Sequence, residues 1–355
     1  QNTEKRGRAM NAIAEPARPA ADGEGWRDKF PSLAVALGRL GDLLADPLLT
    51  EISVNAPGIV FVERLGDPLM AAIPAPQCDA AWIRWLSERV AGATSQHINE
   101  ETPILSASLP SGERFQAILP PAAPAGGAIS IRKQVTRDLS LADYVKTGAL
   151  GRAKVTVAGE RSDAERHLAE LLRAGDVEGF LVTALRERVS MIVSGGTSTG
   201  KATFLNALLK DVPRSERIIT IEDTLELVPP HKNCVRLLAS KGGQSAAKVD
   251  AQSLLEASLR MRPDRLLLGE LRGAETFTFL QAINTGHPGS LTTVHANSPR
   301  AAYERLALMV MQGGVSLAKA DVLAYLEQVI PVVVQLGREN GKRIVSEILF
   351  AGNER

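Results

Sequence analysis

Cysteine is almost missing from this chain: two residues among 355, Cys78 and Cys234, stand far apart with no paired spacing. That excludes a disulfide framework and a cysteine-ligated zinc site, and both read as reduced thiols of a cytosolic protein. Long apolar runs are missing as well. No stretch approaches the roughly 20 residues a helix needs to cross a bilayer, and the beginning of the chain has no signal-peptide core. A soluble protein that meets a membrane only through its partners is expected. Charge of one sign is not in excess either, with 41 Lys and Arg against 40 Asp and Glu. A protein whose main task is gripping nucleic acid carries a basic surplus, so no specific nucleic acid is expected.

What is present centres on Met191 to Leu209, M-I-V-S-G-G-T-S-T-G-K-A-T-F-L-N-A-L-L. An apolar run, a glycine-rich turn, then Phe204, Leu205 and Leu208 at helical spacing predict a buried strand, a loop and a helix. Gly195, Gly200 and Lys201 fit the phosphate-loop pattern G-x-x-x-x-G-K. Such glycines let successive backbone N–H groups turn onto a phosphate chain at a helix N-terminus, and Lys201 adds a full charge near the β- and γ-phosphates. The nucleotide-binding set is therefore Gly195, Gly196, Thr197, Ser198, Thr199, Gly200, Lys201, Ala202 and Thr203. One letter departs from the pattern: Ala202 stands where Ser or Thr gives Mg²⁺ a hydroxyl. Thr203 lies about 100° further round the helix and is a poor substitute.

The chain divides around this motif. Residues 1–28 are Ala, Pro, Gly and charge without periodicity, which predicts a mobile tail. Residues 29–148 read as a smaller α+β domain, 149–161 as a Gly- and Ala-rich linker, and 162–355 as the α/β phosphate-loop domain. In the first domain Leu33, Leu37, Leu40 and Leu44 predict one amphipathic helix, packed inward or laid on a partner or lipid. Strands at 51–55 and 59–63 form a hairpin, Trp82 to Val90 a helix, Ile104 to Leu119 two strands about Pro110-Ser-Gly112, and Ala128 to Lys133 another strand. No internal repeat is visible.

Three dense stretches follow the loop. Ile218-Ile-Thr-Ile-Glu-Asp delivers Glu222 and Asp223 at a strand end, to polarise water, hold Mg²⁺ through water, or form an acidic turn. Arg260-Met-Arg-Pro-Asp-Arg-Leu-Leu-Leu-Gly-Glu-Leu-Arg-Gly273 places Glu270 just past a short strand, where a nucleotidase sets the carboxylate that faces Mg²⁺ and water. Thr285 to Pro299 runs a strand between His287 and His295. A metal pair lacks Cys or Asp support, so His295 reads as a polar sensor of the γ-phosphate.

In this order the four stretches resemble the secretion ATPase superfamily of type II and type IV systems, where they are called Walker A, Asp box, Walker B and His box. They span about residues 190 to 300, with weaker likeness in T-E-I-S-V-N-A-P-G and S-G-E-R-F. Without a four-cysteine insertion or a long N-terminal extension, the chain looks most like the traffic ATPase of type IV secretion and conjugation systems. The resemblance implies a RecA-like C-terminal domain, ATP and Mg²⁺ as cofactors, and a homohexameric ring. It also implies partners among the inner-membrane and cytoplasmic components of the secretion machinery, the other ATPases included, and a cytoplasmic location peripheral to the inner membrane. Glu222, Glu270, His295 and Lys201 would be catalytic, with Glu222 and Glu270 towards the metal. N-terminal arginines would reach a nucleotide held between a subunit's own two domains, which Arg114 and Arg132 fit. Hydrolysis would rotate the domains and drive export or pilus assembly, weakened by Ala202. The alternatives are a weakly hydrolytic scaffold and a DNA-translocating RecA-like motor.

Overall fold

The computed structural model describes residues 25–133, 141–146, 151, 162–240 and 246–351. Of the tail, residues 25–28 are described, and they enter a short helix, α1 (Trp26–Lys29), whose Trp26 packs on the N-terminal core. The linker expected at 149–161 lies outside the described residues except for Gly151.

The first domain is helices α2 (Pro31–Gly38) and α3 (Gly41–Ala45), strands β1 (Leu49–Ala56), β2 (Gly58–Arg64) and β3 (Ala71–Ala75), helix α4 (Ala80–Ala93), then β4 (Ile104–Ser108), β5 (Arg114–Ile118) and β6 (Ala128–Arg132). The one leucine helix expected from the spacing is two helices. The chain turns at Arg39 and Leu40, yet Leu33, Leu37 and Leu40 all reach the core, so the periodicity survives the break. The strands form one antiparallel sheet in the order β3-β2-β1-β6-β5-β4. Strand β3 escapes sequence reading because it is an edge strand carrying Pro74, a residue that pattern rules assign to edges or to loops. Asp79 caps α4 by accepting from the Trp82 amide at 2.7 Å, and the buried Trp82 indole donates to Ala36 O at 2.8 Å. Losing that ring would cost about 3–5 kcal/mol.

A short helix, α5 (Leu141–Lys146), precedes the second domain. There follow α6 (Asp163–Arg173), α7 (Val177–Arg186), β7 (Met191–Gly195), α8 (Lys201–Leu208), β8 (Ile218–Glu222), β9 (Cys234–Leu238), α9 (Ala251–Ser258), β10 (Arg265–Leu268), α10 (Glu275–Asn284), β11 (Leu291–Val294), α11 (Pro299–Gln312), α12 (Lys319–Val329), β12 (Val332–Glu339) and β13 (Lys342–Phe350). The sheet order is β13-β12-β7-β11-β10-β8-β9, parallel except for the β12–β13 hairpin. Both faces are covered. Ile192 enters one apolar cluster while Met191 and Val193 enter the other, which is why these strands read as continuous apolar runs. The α/β class of the C-terminal domain and the α+β make-up of the N-terminal one agree with expectation.

The two domains meet on a polar seam. Strand β1 sends Ile52 and Val54 into its own core and Ser53 and Asn55 toward the C-terminal domain. There the fully buried Arg217 donates to Asn55 Oδ1, to Asn233 Oδ1 at 2.7 Å, to Met261 O at 2.9 Å and to Ser130 Oγ at 3.4 Å. Arg262 grips Glu63 in a fork at 2.5 and 2.7 Å. Ile118, Ala122, Ala123 and Ala128 of the first domain join an apolar cluster of the second.

Candidate nucleotide site

Four neighbouring parallel strands, β7, β11, β10 and β8, end on the same side of the sheet, the side on which open α/β folds bind ligands. After β7 the chain turns through Ser198 (φ 61°) and Gly200 (φ 89°) into α8. At Gly200 a side chain would be strained by the positive φ, and an added Cβ, 2.8 Å from Arg343 Cδ, would push the Arg343 side chain aside. Gly195 is fixed by crowding, since a Cβ there would meet Thr199 Oγ1 at 2.5 Å and Leu336 O at 3.0 Å. Thr199 instead donates to Gly196 O at 2.9 Å, closing the loop on itself.

Lys201 folds back over this loop and donates to Gly195 O at 3.0 Å and Gly196 O at 3.1 Å. Its ammonium also lies 3.4 Å from the ring nitrogens of His295. Burial draws the Lys201 ammonium below its ordinary value against the pull of Glu270. Burial likewise lowers His295; Glu270 opposes it, and Lys201, Arg305 and Arg272 add to it. A neutral imidazole at neutral pH follows, able to donate from one nitrogen and accept at the other. Glu270 completes the cluster: one oxygen stands 3.4 Å from His295 Nε2 and the other accepts from Arg272 at 2.6 Å.

Glu222 lines the same pocket in a more committed state. Its Oε1 accepts from the amides of Glu226 and Leu227, both at 2.8 Å, so it shapes the turn after β8. Burial raises its carboxyl above the ordinary value, and those two amides pull against it. The sequence leaves this carboxylate open to metal and water; in the fold, half of it is occupied by the backbone. Asp223 pairs with Arg272.

The pocket has a volume of about 430 Å³ and brings together Thr197, Ser198, Gly200, Lys201, Ala202 and Thr203 with Glu222, Glu270 and His295. Gly195, Gly196 and Thr199 are not among its lining residues; they belong to the loop over which Lys201 folds. His287 is elsewhere, its Nδ1 2.9 Å from Pro263 O. Two cations on the wall, Arg272 and Arg343, escape sequence reading. Arg272 lies inside the stretch that carries Glu270, and its place two residues beyond that carboxylate is the available signal. Arg343 comes from the β12–β13 hairpin, which carries no motif. Arg114 and Arg132 are not brought to Lys201 within one chain: they line a separate cavity, with Arg260.

A glycine-walled loop and lysine at the end of a central parallel strand, facing a carboxylate and a histidine from the neighbouring strands, define a P-loop nucleotide-binding protein. The family described as "Type II/IV secretion system protein" matches residues 36–347, and the chain belongs to it. Among relatives, the Type IV secretion system protein VirB11 of Bartonella quintana is 37% identical over 335 residues, 90% of this chain and 94% of that one. VirB11 of Brucella abortus is 36% identical over 358 residues, covering 98% and 92%. The crystal structure of the VirB11 ATPase from the Brucella suis type IV secretion system, in complex with sulphate, superposes with a TM-score of 0.85 at 35% identity, over 93% of this chain and 97% of that one.

Proposed function

We propose that this chain is the ATPase of a bacterial type IV secretion system, working as a homohexameric ring on the cytoplasmic side of the inner membrane. The observation that carries the reading is the convergence of Lys201, Glu270 and His295 at one phosphate-loop pocket. The loop amides and Lys201 hold the β- and γ-phosphates. Glu270 orients the attacking water, and neutral His295 hydrogen-bonds the γ-phosphate or the charge that develops on it. Glu222 holds the turn that forms the pocket wall, with Oε2 directed to Thr220 Oγ1 at 3.3 Å.

The wall fits magnesium carried on the phosphates, an ion that keeps several waters and takes one or two carboxylates. Glu270, Asp223 and, in part, Glu222 supply these, and the ion would neutralise phosphate charge there. Ala202 supplies no hydroxyl, and the hydroxyls lining the pocket are those of Thr197, Ser198, Thr203, Thr224 and Thr293, the last donating to Gly269 O at 2.7 Å. This favours a second reading in which ATP is bound but turned over slowly, as a switch for other components of the system.

Arg114 and Arg132 act in this reading on the nucleotide of an adjacent copy. Each nucleotide then bridges two subunits, and loss of its γ-phosphate releases the strut between them. The test is nucleotide binding and phosphate release by the full chain. Lys201→Ala should abolish binding, and Glu270→Gln should retain ATP while losing hydrolysis. Hydrolysis indifferent to both substitutions would refute the proposal.

A further inference from the structure

Gln335 is a long polar side chain on a sheet face largely given to the core. It stands in register with Ser194 of β7, which in turn stands beside Val294 of β11. Its neighbours on that face, Ile192, Val294 and Val333, belong to the larger apolar cluster. Gln335 is 6% exposed, and its Oε1 finds no partner among the described residues. A buried amide left half-satisfied costs stability, so packing does not account for it. Its Nε2 donates to Ala296 O at 3.1 Å and to Leu336 O at 3.3 Å. Turning the amide round would set its oxygen against two carbonyl oxygens, so the orientation is fixed.

Each of those carbonyls belongs to a part of the nucleotide site. Ala296 directly follows His295, in the turn between β11 and the Ser298 cap of α11. Leu336 O abuts the phosphate loop, where a Cβ on Gly195 would meet it at 3.0 Å. At the same point the β12–β13 hairpin bulges: Gln335 faces Glu347 and Leu336 faces Val345, leaving Ser346 without a register partner while its Oγ donates to Gln335 O at 3.3 Å. One extra residue moves every side chain beyond it to the other face. Arg343 thereby comes onto the face of Leu336 and α8, beside Gly200.

We propose that Gln335 is a positioning residue for His295, holding the turn after β11 against the strand that abuts the phosphate loop, so that the imidazole meets the γ-phosphate beside Lys201. The inference rests on the reading of His295 given above and deepens it, because it assigns the support of that group to a strand without a motif. The His295 side chain is 36% exposed and comes no nearer than 3.4 Å to Lys201 and Glu270. Contacts of that length hold a ring loosely, and the backbone behind it has to set its place. Gln335 does not line the pocket, so it acts through Ala296 rather than on the nucleotide.

The experiment is steady-state ATP hydrolysis and urea unfolding of full-length variants. Gln335→Met keeps the volume and loses the donor. Its kcat should fall by about ten-fold, the scale on which a slightly misplaced catalytic group loses rate, while KM for ATP and the urea midpoint stay near wild type. Gln335→Asn, an amide one methylene too short to reach Ala296 O, should show the same split. In a His295→Ala background Gln335→Met should have no further effect on kcat, since the group it positions is gone. Wild-type kcat in Gln335→Met or Gln335→Asn, with a loss in His295→Ala, overturns the role of Gln335 alone. So do losses that multiply in the double variant, and so does a fall in kcat matched by a fall in the urea midpoint, the mark of a merely structural side chain. Wild-type kcat in His295→Ala, with binding lost in Lys201→Ala, overturns the reading of His295 itself.

Discussion

Replacing Glu51 by Gln tests the electrostatics of the interdomain seam. Glu51 is 1% exposed, and its Oε1 has no hydrogen-bond partner among the described residues. Desolvation raises its carboxyl from 4.5 to about 8, although Arg217, Arg132 and Arg262 all pull it down. A group with a raised folded value binds its proton more tightly in the native state. Its contribution to stability is full below the unfolded value and is lost as pH rises, progressively through the folded value. The window is therefore about pH 4.5 to 8. Each tenfold gain in proton affinity on folding is worth ~1.4 kcal/mol, which sets a ceiling of roughly 5 kcal/mol. Water entering the seam once the carboxylate forms screens it, so about 2–3 kcal/mol is expected in practice. Glutamine has the shape of the protonated acid and does not titrate. Urea unfolding of the wild type and Glu51→Gln between about pH 5 and 9 should show the wild type losing stability relative to the variant, with the gap levelling once the folded carboxyl has ionised. Parallel curves across that range would refute the reasoning and place a charged Glu51 in the seam.

Two further outcomes concern the nucleotide pocket. Ala202→Thr restores a hydroxyl at the position after Lys201 and should raise kcat and lower the magnesium concentration for half-maximal hydrolysis; equal rates in steady-state assays would remove the idea that Ala202 weakens turnover. Arg343→Ala should weaken ATP binding by about ten-fold, the scale of one charge-assisted hydrogen bond, and weaken AMP less; isothermal titration with both nucleotides checks this.

Much of the site was legible because its parts are contiguous. The turn geometry of the phosphate loop, the lysine that follows, and the carboxylate or histidine past a short apolar strand are local patterns of glycine and hydrophobicity. The leucine stripe was legible as a buried face but not as two helices, since the break at Arg39 and Leu40 leaves the spacing intact. Strand β3 was hidden by Pro74. Glu222 was legible as a strand-end carboxylate, while its bonds to the Glu226 and Leu227 amides depended on how the next turn closed.

The amino-acid order by itself determined which strand ends carry chemistry, because a strand's alternation and its following loop are set by residues adjacent in the chain. Only tertiary structure decided what those ends face. Arg343 reaches the pocket because β12 pairs beside β7, and Arg114 and Arg132 share a cavity with Arg260 rather than with Lys201 because the domains pack through Arg217 and Arg262. Contacts of that kind join residues far apart in sequence, and strand pairing and domain docking select them through burial and charge that no local pattern records.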